Sequence, residues 1–187
     1  MNDDKKFKQR DLAFQNCELK TIHISDIPYY ISNLIIFNSG INSSIFLPPT
    51  TTHSFVESNQ LQYLISLILD NCKLDTDNFE NIFTILLKKE NNLKKLSARN
   101  NNISRIIKKE ELGKINNKLN SLEILNLSNN YICDFNKNIF DLVPNLKILD
   151  LSNNSISQEY KCIELIKNFK GIVLLLRNIG IMKEKMK

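Results

Sequence analysis

The sequence predicts an α/β solenoid, with a curved parallel sheet on the concave side and helices or irregular turns on the convex side. Three observations carry that expectation. The first is a repeated pattern: Leu122–Ile132, LEILNLSNNYI, returns at Leu146–Ile156 as LKILDLSNNSI. Both copies place leucine or isoleucine at offsets 0, 3, 5 and 10, and asparagine at offset 8. The second is alternation with the period of a half-buried strand, which points Leu125 and Leu127 one way and Ile124, Asn126 and Ser128 the other. The third is recurrence, since matches to these offsets start at 31, 64, 93, 122, 146 and 171, giving unit lengths of 33, 29, 29, 24 and 25. Units of that size cannot bury a core alone and must stack. Six parallel strands about 4.8 Å apart would make a sheet about 24 Å across.

Taken in order, residues 1–16 are mostly polar and read as a frayed end or a short capping helix. Leu19–Ile27, LKTIHISDI, alternates apolar with polar and reads as a cap strand, so 1–30 forms a tail and cap. The array then occupies 31–181, with about six repeats. An inserted loop at 42–60 is marked by Pro48-Pro49 and three threonines. Helical spacing over Asn78–Lys89 turns Phe79, Ile82, Phe83, Leu86 and Leu87 to one face. Lys108–Lys118 is helix-like and charged, and Phe135–Leu142 links the two clearest repeats ahead of Pro144. Glu159–Lys170 is expected to be helical with Cys162, Ile163, Leu165, Ile166 and Phe169 inward. Residues 182–187 are a polar tail.

Two asparagine columns follow from the register. Asn101, Asn130 and Asn154 stand at offset 8, where an amide has donors and acceptors for the backbone of two neighbouring turns. Ser39 and Cys72 replace it in earlier units, and Ile179 in the last, where the ladder should end. Offset 7 is asparagine every time (Asn38, Asn71, Asn100, Asn129, Asn153, Asn178), which suits a turn with left-handed backbone angles.

Composition narrows the function. Apolar content of 42% and charge of 24% are ordinary for a globular domain. Cys17, Cys72, Cys133 and Cys162 are far apart, and with His23 and His53 they form no metal-ligand spacing. The charged start, MNDDKKFKQRD, is unlike a signal peptide, and the apolar runs are far short of a membrane span. The expected setting is intracellular, nuclear or cytoplasmic. No Gly-rich phosphate loop, G-x-S-x-G, H-E-x-x-H or cysteine–histidine pair is present, so the chain is read as no enzyme, with no cofactor and no small-molecule substrate.

Offsets 2, 4 and 6 form the concave surface. Ile35, Phe37, Ile68, Ile124, Asn126, Ile148 and Asp150 are the candidate protein-binding residues there, with Ile124 and Ile148 adjacent in one row and Val173 beyond. Charge is uneven: Lys88 to Lys118 holds ten lysines and arginines against Glu90, Glu110 and Glu111. Lys95, Arg99, Lys108 and Lys109 are therefore the candidate RNA or phosphate contacts, although no aromatic is interleaved to stack bases.

These repeats identify a member of the leucine-rich repeat superfamily over about residues 19–181. Within it, LEILNLSNNYICDFNKNIFDLVPNLKILDLSNNSIS, running on to IVLLLRNIGI, is similar to the leucine-rich repeat domain of TAP-type nuclear mRNA export factors. The likeness lies in the consecutive N-L-S-N-N and P-N-L-K-I-L elements and the irregular repeat lengths. It implies a non-catalytic interaction module contributing RNA or adaptor binding in mRNA export. Such factors carry further domains before and after the repeats, for which this sequence has too few residues. The alternative is a protein-only scaffold or regulatory subunit that binds its partner on the concave face.

Overall fold

A computed structural model describes residues 10–19, 28, 30–40, 59–88, 90–107, 117–133, 135–136, 138–156 and 159–177. Seven strands line up in chain order in one parallel sheet. They are β1 (Asp11–Gln15), β2 (Asn33–Phe37), β3 (Ser66–Asp70), β4 (Lys95–Ser97), β5 (Ile124–Asn126), β6 (Ile148–Asp150) and β7 (Val173–Leu175). Equal offsets pair throughout: Leu34 sits opposite Leu67, Leu67 opposite Leu96, Leu96 opposite Leu125, and Leu125 opposite Leu149. β7 keeps the register expected for it, with Val173 opposite Ile148.

The N-terminus departs from expectation. Residues 11–15, expected in a frayed end or capping helix, are β1, paired with β2 from Asp11↔Asn33 to Gln15↔Phe37. Its signal was short, because only Leu12, Phe14 and Leu19 hold the offsets. The pairing edge of β2 supplies what the local pattern lacks. The cap strand expected over 19–27 lies outside the described residues except for Leu19, which is buried at the offset-10 place of this extra coil. Most of the 42–60 loop also lies outside them; its last two residues open a 3₁₀ helix, Asn59–Tyr63.

Strand side chains at offset 3 form the spine of the core, with Leu34, Leu67, Leu96, Leu125 and Leu149 all at 0% exposure. Among the described residues, three helices lie in the connections: α1 (Thr76–Lys88), α2 (Ile139–Leu142) and α3 (Glu159–Asn168). α1 buries Phe79, Ile82, Phe83, Leu86 and Leu87, the five residues its spacing selects, and stacks Phe79 on Phe83 at 6.0 Å. Asp75 caps it, accepting the Asn78 N–H at 2.7 Å. α3 corrects the sequence reading. Cys162 and Leu165 are buried, but Ile163 is 43% and Ile166 61% exposed, because no further coil stacks beyond β7 among the described residues. The helix expected over 108–118 falls largely outside the described residues.

The offset-8 asparagines staple each turn to the one before it. Asn130 donates through Nδ2 to the Ala98, Leu127 and Ser128 carbonyls at 2.9, 3.0 and 3.3 Å, while its Oδ1 accepts the Ile103 N–H at 3.1 Å. Asn101 and Asn154 repeat the arrangement, on the Cys72 and Leu74 N–H groups and on the Ile132 N–H. Ser39 does the same work with less reach, accepting from Cys17 N–H and donating to the Phe37 carbonyl. The neighbouring offset-7 asparagines take left-handed angles, φ 53 to 58° from Asn16 to Asn153. Their amides join along the sheet edge: Asn38 to Asn16, Asn71 to Asn38 at 2.6 Å, Asn100 to Asn71 at 2.9 Å, and Asn153 to Asn129 at 3.0 Å.

Candidate interaction face

The face is built by the alternation that makes the core. With offsets 3 and 5 buried, offsets 2, 4 and 6 of every strand are left on the opposite side of the sheet. Ile124, Ile148 and Val173 form one continuous row across β5, β6 and β7, each half-buried. The next row runs Asn126, Asp150 and Leu175, also half-buried. At the other end of the sheet Ile35 and Ile68 are paired neighbours, and Phe37 is 37% exposed. The seven candidate protein-binding residues thus share one face but fall into two groups. Between them lies a polar centre of Ser66, Ser97, Lys95, Asp70 and Arg99.

Electrostatics divide that centre. Asp70 accepts from the Ser97 hydroxyl at 2.6 Å and the Arg99 N–H at 2.9 Å, and the Arg99 Nε lies 3.7 Å from its other oxygen. The Arg99 guanidinium is half-exposed, yet it is directed at a carboxylate of the preceding coil. Arg105 is held the same way, its Nη2 3.0 Å from Asp77 and 3.4 Å from Glu80 on α1. Glu123 stands one coil from Lys94 and bonds the Lys147 ammonium at 2.9 Å. The Lys147 hydrogen bond chiefly, with the Lys147 and Lys94 charges, holds the Glu123 carboxyl below its usual range.

Of the candidate RNA contacts, Lys95 is on the concave face, half-buried between Ser66 and Ile124. Arg99 is on the same face but paired. Lys108 and Lys109 lie outside the described residues, as do Lys89 and Lys114. Of the four, the described residues place Lys95 and Arg99 on one face, with Arg99 paired to Asp70. The acids that pair Arg99 and Arg105 come from neighbouring coils, which a count along the chain cannot see. Register carried the signal, because Asp70 and Arg99 occupy the same offset in adjacent units.

Lys95 and Asp150 behave differently. Neither has an oppositely charged side chain within 4.0 Å among the described residues. Asp150 accepts the Ser152 N–H at 2.9 Å and is flanked by Asn126 and Leu175. The four cysteines are free thiols. Cys72 stands in the asparagine place, its Sγ 3.2 Å from both the Ile36 and Asp70 carbonyls, and burial pushes its thiol up to about 11. Among the described residues no helix is long and apolar enough to cross a membrane.

A family model described as Leucine Rich Repeat matches residues 121–142 and 145–169. No curated protein matches the chain. Among solved structures the chain is similar to one in an octameric complex of Latrophilin 3 (Lec, Olf), Unc5D (Ig, Ig2, TSP1) and FLRT2 (LRR). Identity there is 16%, with a TM-score of 0.37, over 95% of this chain and 75% of that one. The in-register parallel sheet, the stapling asparagines and the two matched segments identify the fold as a leucine-rich repeat solenoid, in general a non-catalytic interaction fold.

Proposed function

We propose that the chain is a non-catalytic interaction module that binds a protein partner on its concave face, centred on Ile124 and Ile148 in an intracellular setting. The observation that carries this reading is the row Ile124–Ile148–Val173: three aliphatic side chains in lateral register, half-exposed on a sheet whose other face is already buried. Such a strip offers apolar area to a partner at little further ordering cost, because the strands beneath it are fixed. Free cysteines agree with a reducing compartment.

The more specific reading, RNA or adaptor binding in nuclear mRNA export, rests on the TAP-like segment and on Lys95 with its basic surroundings. The pairing of Arg99 and Arg105 with carboxylates lowers the charge open to phosphates and favours the protein-only reading.

One experiment separates the two. The partner is identified by proximity labelling and its binding reconstituted with purified protein, alongside a single-stranded RNA, across a salt series. Protein binding should weaken about tenfold or more in Ile124→Asp/Ile148→Asp and fall far less with salt than RNA binding would. RNA binding that falls steeply with salt and is lost in Lys95→Ala/Arg99→Ala would instead support the export reading. Partner binding indifferent to the double aspartate would overturn the concave-face reading.

A further inference from the structure

Among the described residues, Lys95 and Asp150 are charges of opposite sign on the concave face with no salt-bridge partner, and both border the Ile124–Ile148 pair; Arg177, at offset 6 of the β7 unit, lies beyond it. Lys95 lies on β4 at offset 2, directly across from Ile124, and Asp150 lies on β6 at offset 4, beside Ile148 along the strand direction. Two strand spacings and two residues of rise separate them, about 12 Å. The other described charges at the centre of this face are matched, Asp70 with Arg99. The floor between Lys95 and Asp150 is Ile124, Ile148 and the Asn126 amide, whose Oδ1 is taken by the Ser128 N–H and hydroxyl at 3.0 and 2.7 Å.

Resting on the concave-face reading above, we propose that this site docks an amphipathic helix of the partner. The helix presents aliphatic residues to Ile124 and Ile148, an acid to Lys95 and a base to Asp150, about seven residues apart on one face. The spacing follows from the rise of 1.5 Å per residue, which places positions i and i+7 about 10.5 Å apart on the same side. Backbone chemistry decides for a helix over an extended segment. These strands spend their N–H and C=O groups on each other, so the face offers side chains only. An extended peptide laid on Ile124 and Ile148 would lose water from backbone groups with nothing to pair them, whereas a helix satisfies its own. The charge pair supplies selectivity: a helix acidic or basic at both positions would set like charges against one end.

The test is selection from a phage library of helical peptides about 20 residues long, with a leucine stripe and with Glu, Gln or Lys allowed at two stripe-flanking positions seven apart. Against the natural protein, selection should return one acid and one base, in either order, because the helix can lie in either direction. Against Asp150→Lys it should return acid at both positions, and against Lys95→Glu base at both. Asp150→Asn, which keeps the acceptor for the Ser152 N–H, should lose the base preference alone. Each mismatched peptide should bind about fivefold or more weakly. Peptides that lose binding in Ile124→Asp but show no charge preference would overturn this inference and leave the concave-face reading standing. Peptides indifferent to Ile124→Asp, or no enrichment at all, would overturn both.

Discussion

Asn130 shows how a single side chain holds one coil to the next. Its amide contacts three carbonyls and one N–H of backbone that water does not reach, so removing it leaves those groups unpaired rather than rehydrated. Asn130→Ala is expected to destabilise by about 1–3 kcal/mol in chemical denaturation, and Asn130→Asp, which removes the donors, should not rescue it. Cys72 meets the same need with a thiol, and its chemistry adds a pH dependence. The unfolded thiol ionises near 9.0 and the folded one near 11, so the folded state holds the proton longer. The stabilisation is complete below pH 9 and is lost as pH rises through 11. Denaturation midpoints measured from pH 8 to 11 should fall more steeply for the natural protein than for Cys72→Ala. Equal slopes would mean that another group sets the alkaline limit.

At the scale of elements, the connections vary while the strands do not. α1 brings five apolar residues to the core and has a capped start, so a thirteen-residue helix fits into a long unit. α3 fills a shorter connection and leaves Ile163 and Ile166 exposed beside the last strand. The turn from α3 into β7 passes close to β6: a Cβ at Gly171 would stand 2.6 Å from the Leu146 carbonyl oxygen and 2.7 Å from that of Lys147. Backbone cannot move aside as a side-chain tip can. Gly171→Ala should therefore displace β7 and lower stability by about 1–3 kcal/mol, with protection from hydrogen exchange lost first at Val173–Leu175. Unchanged exchange there would show that the turn has slack.

Across the whole molecule, stability is a sum of coils and the contacts between neighbours. The leucine column tests this directly, because the same residue type occupies the same offset from one end to the other. Leu67→Ala, Leu96→Ala and Leu125→Ala remove fully buried side chains and should each cost about 2–5 kcal/mol. Leu12→Ala and Leu174→Ala, at partly buried positions of the terminal strands, should cost clearly less. A flat profile along the column would mean that the ends are covered as well as the middle. The same gradient bears on function, since the Ile124–Ile148 strip lies over interior strands while Val173 lies on the last one.

The sequence by itself determined the repeat, the strand register from β2 to β6, the inward face of α1 and the stapling role of Asn101, Asn130 and Asn154. These depend on periodic offsets and on what an amide can bond, both local properties of the chain. It did not determine β1, whose three apolar positions are too few to mark a strand until the edge of β2 is there to pair with them. Nor did it determine the exposure of Ile163 and Ile166, which depends on whether another coil stacks against them. The candidate site divides the same way. That Ile124 and Ile148 face outward together follows from alternation. That Arg99 is matched by Asp70, while Lys95 and Asp150 are left unmatched among the described residues, depends on which side chains meet across strands. Charge balance is settled by neighbours in space, and residues 27 or 29 apart in the chain become such neighbours only once the coils are stacked.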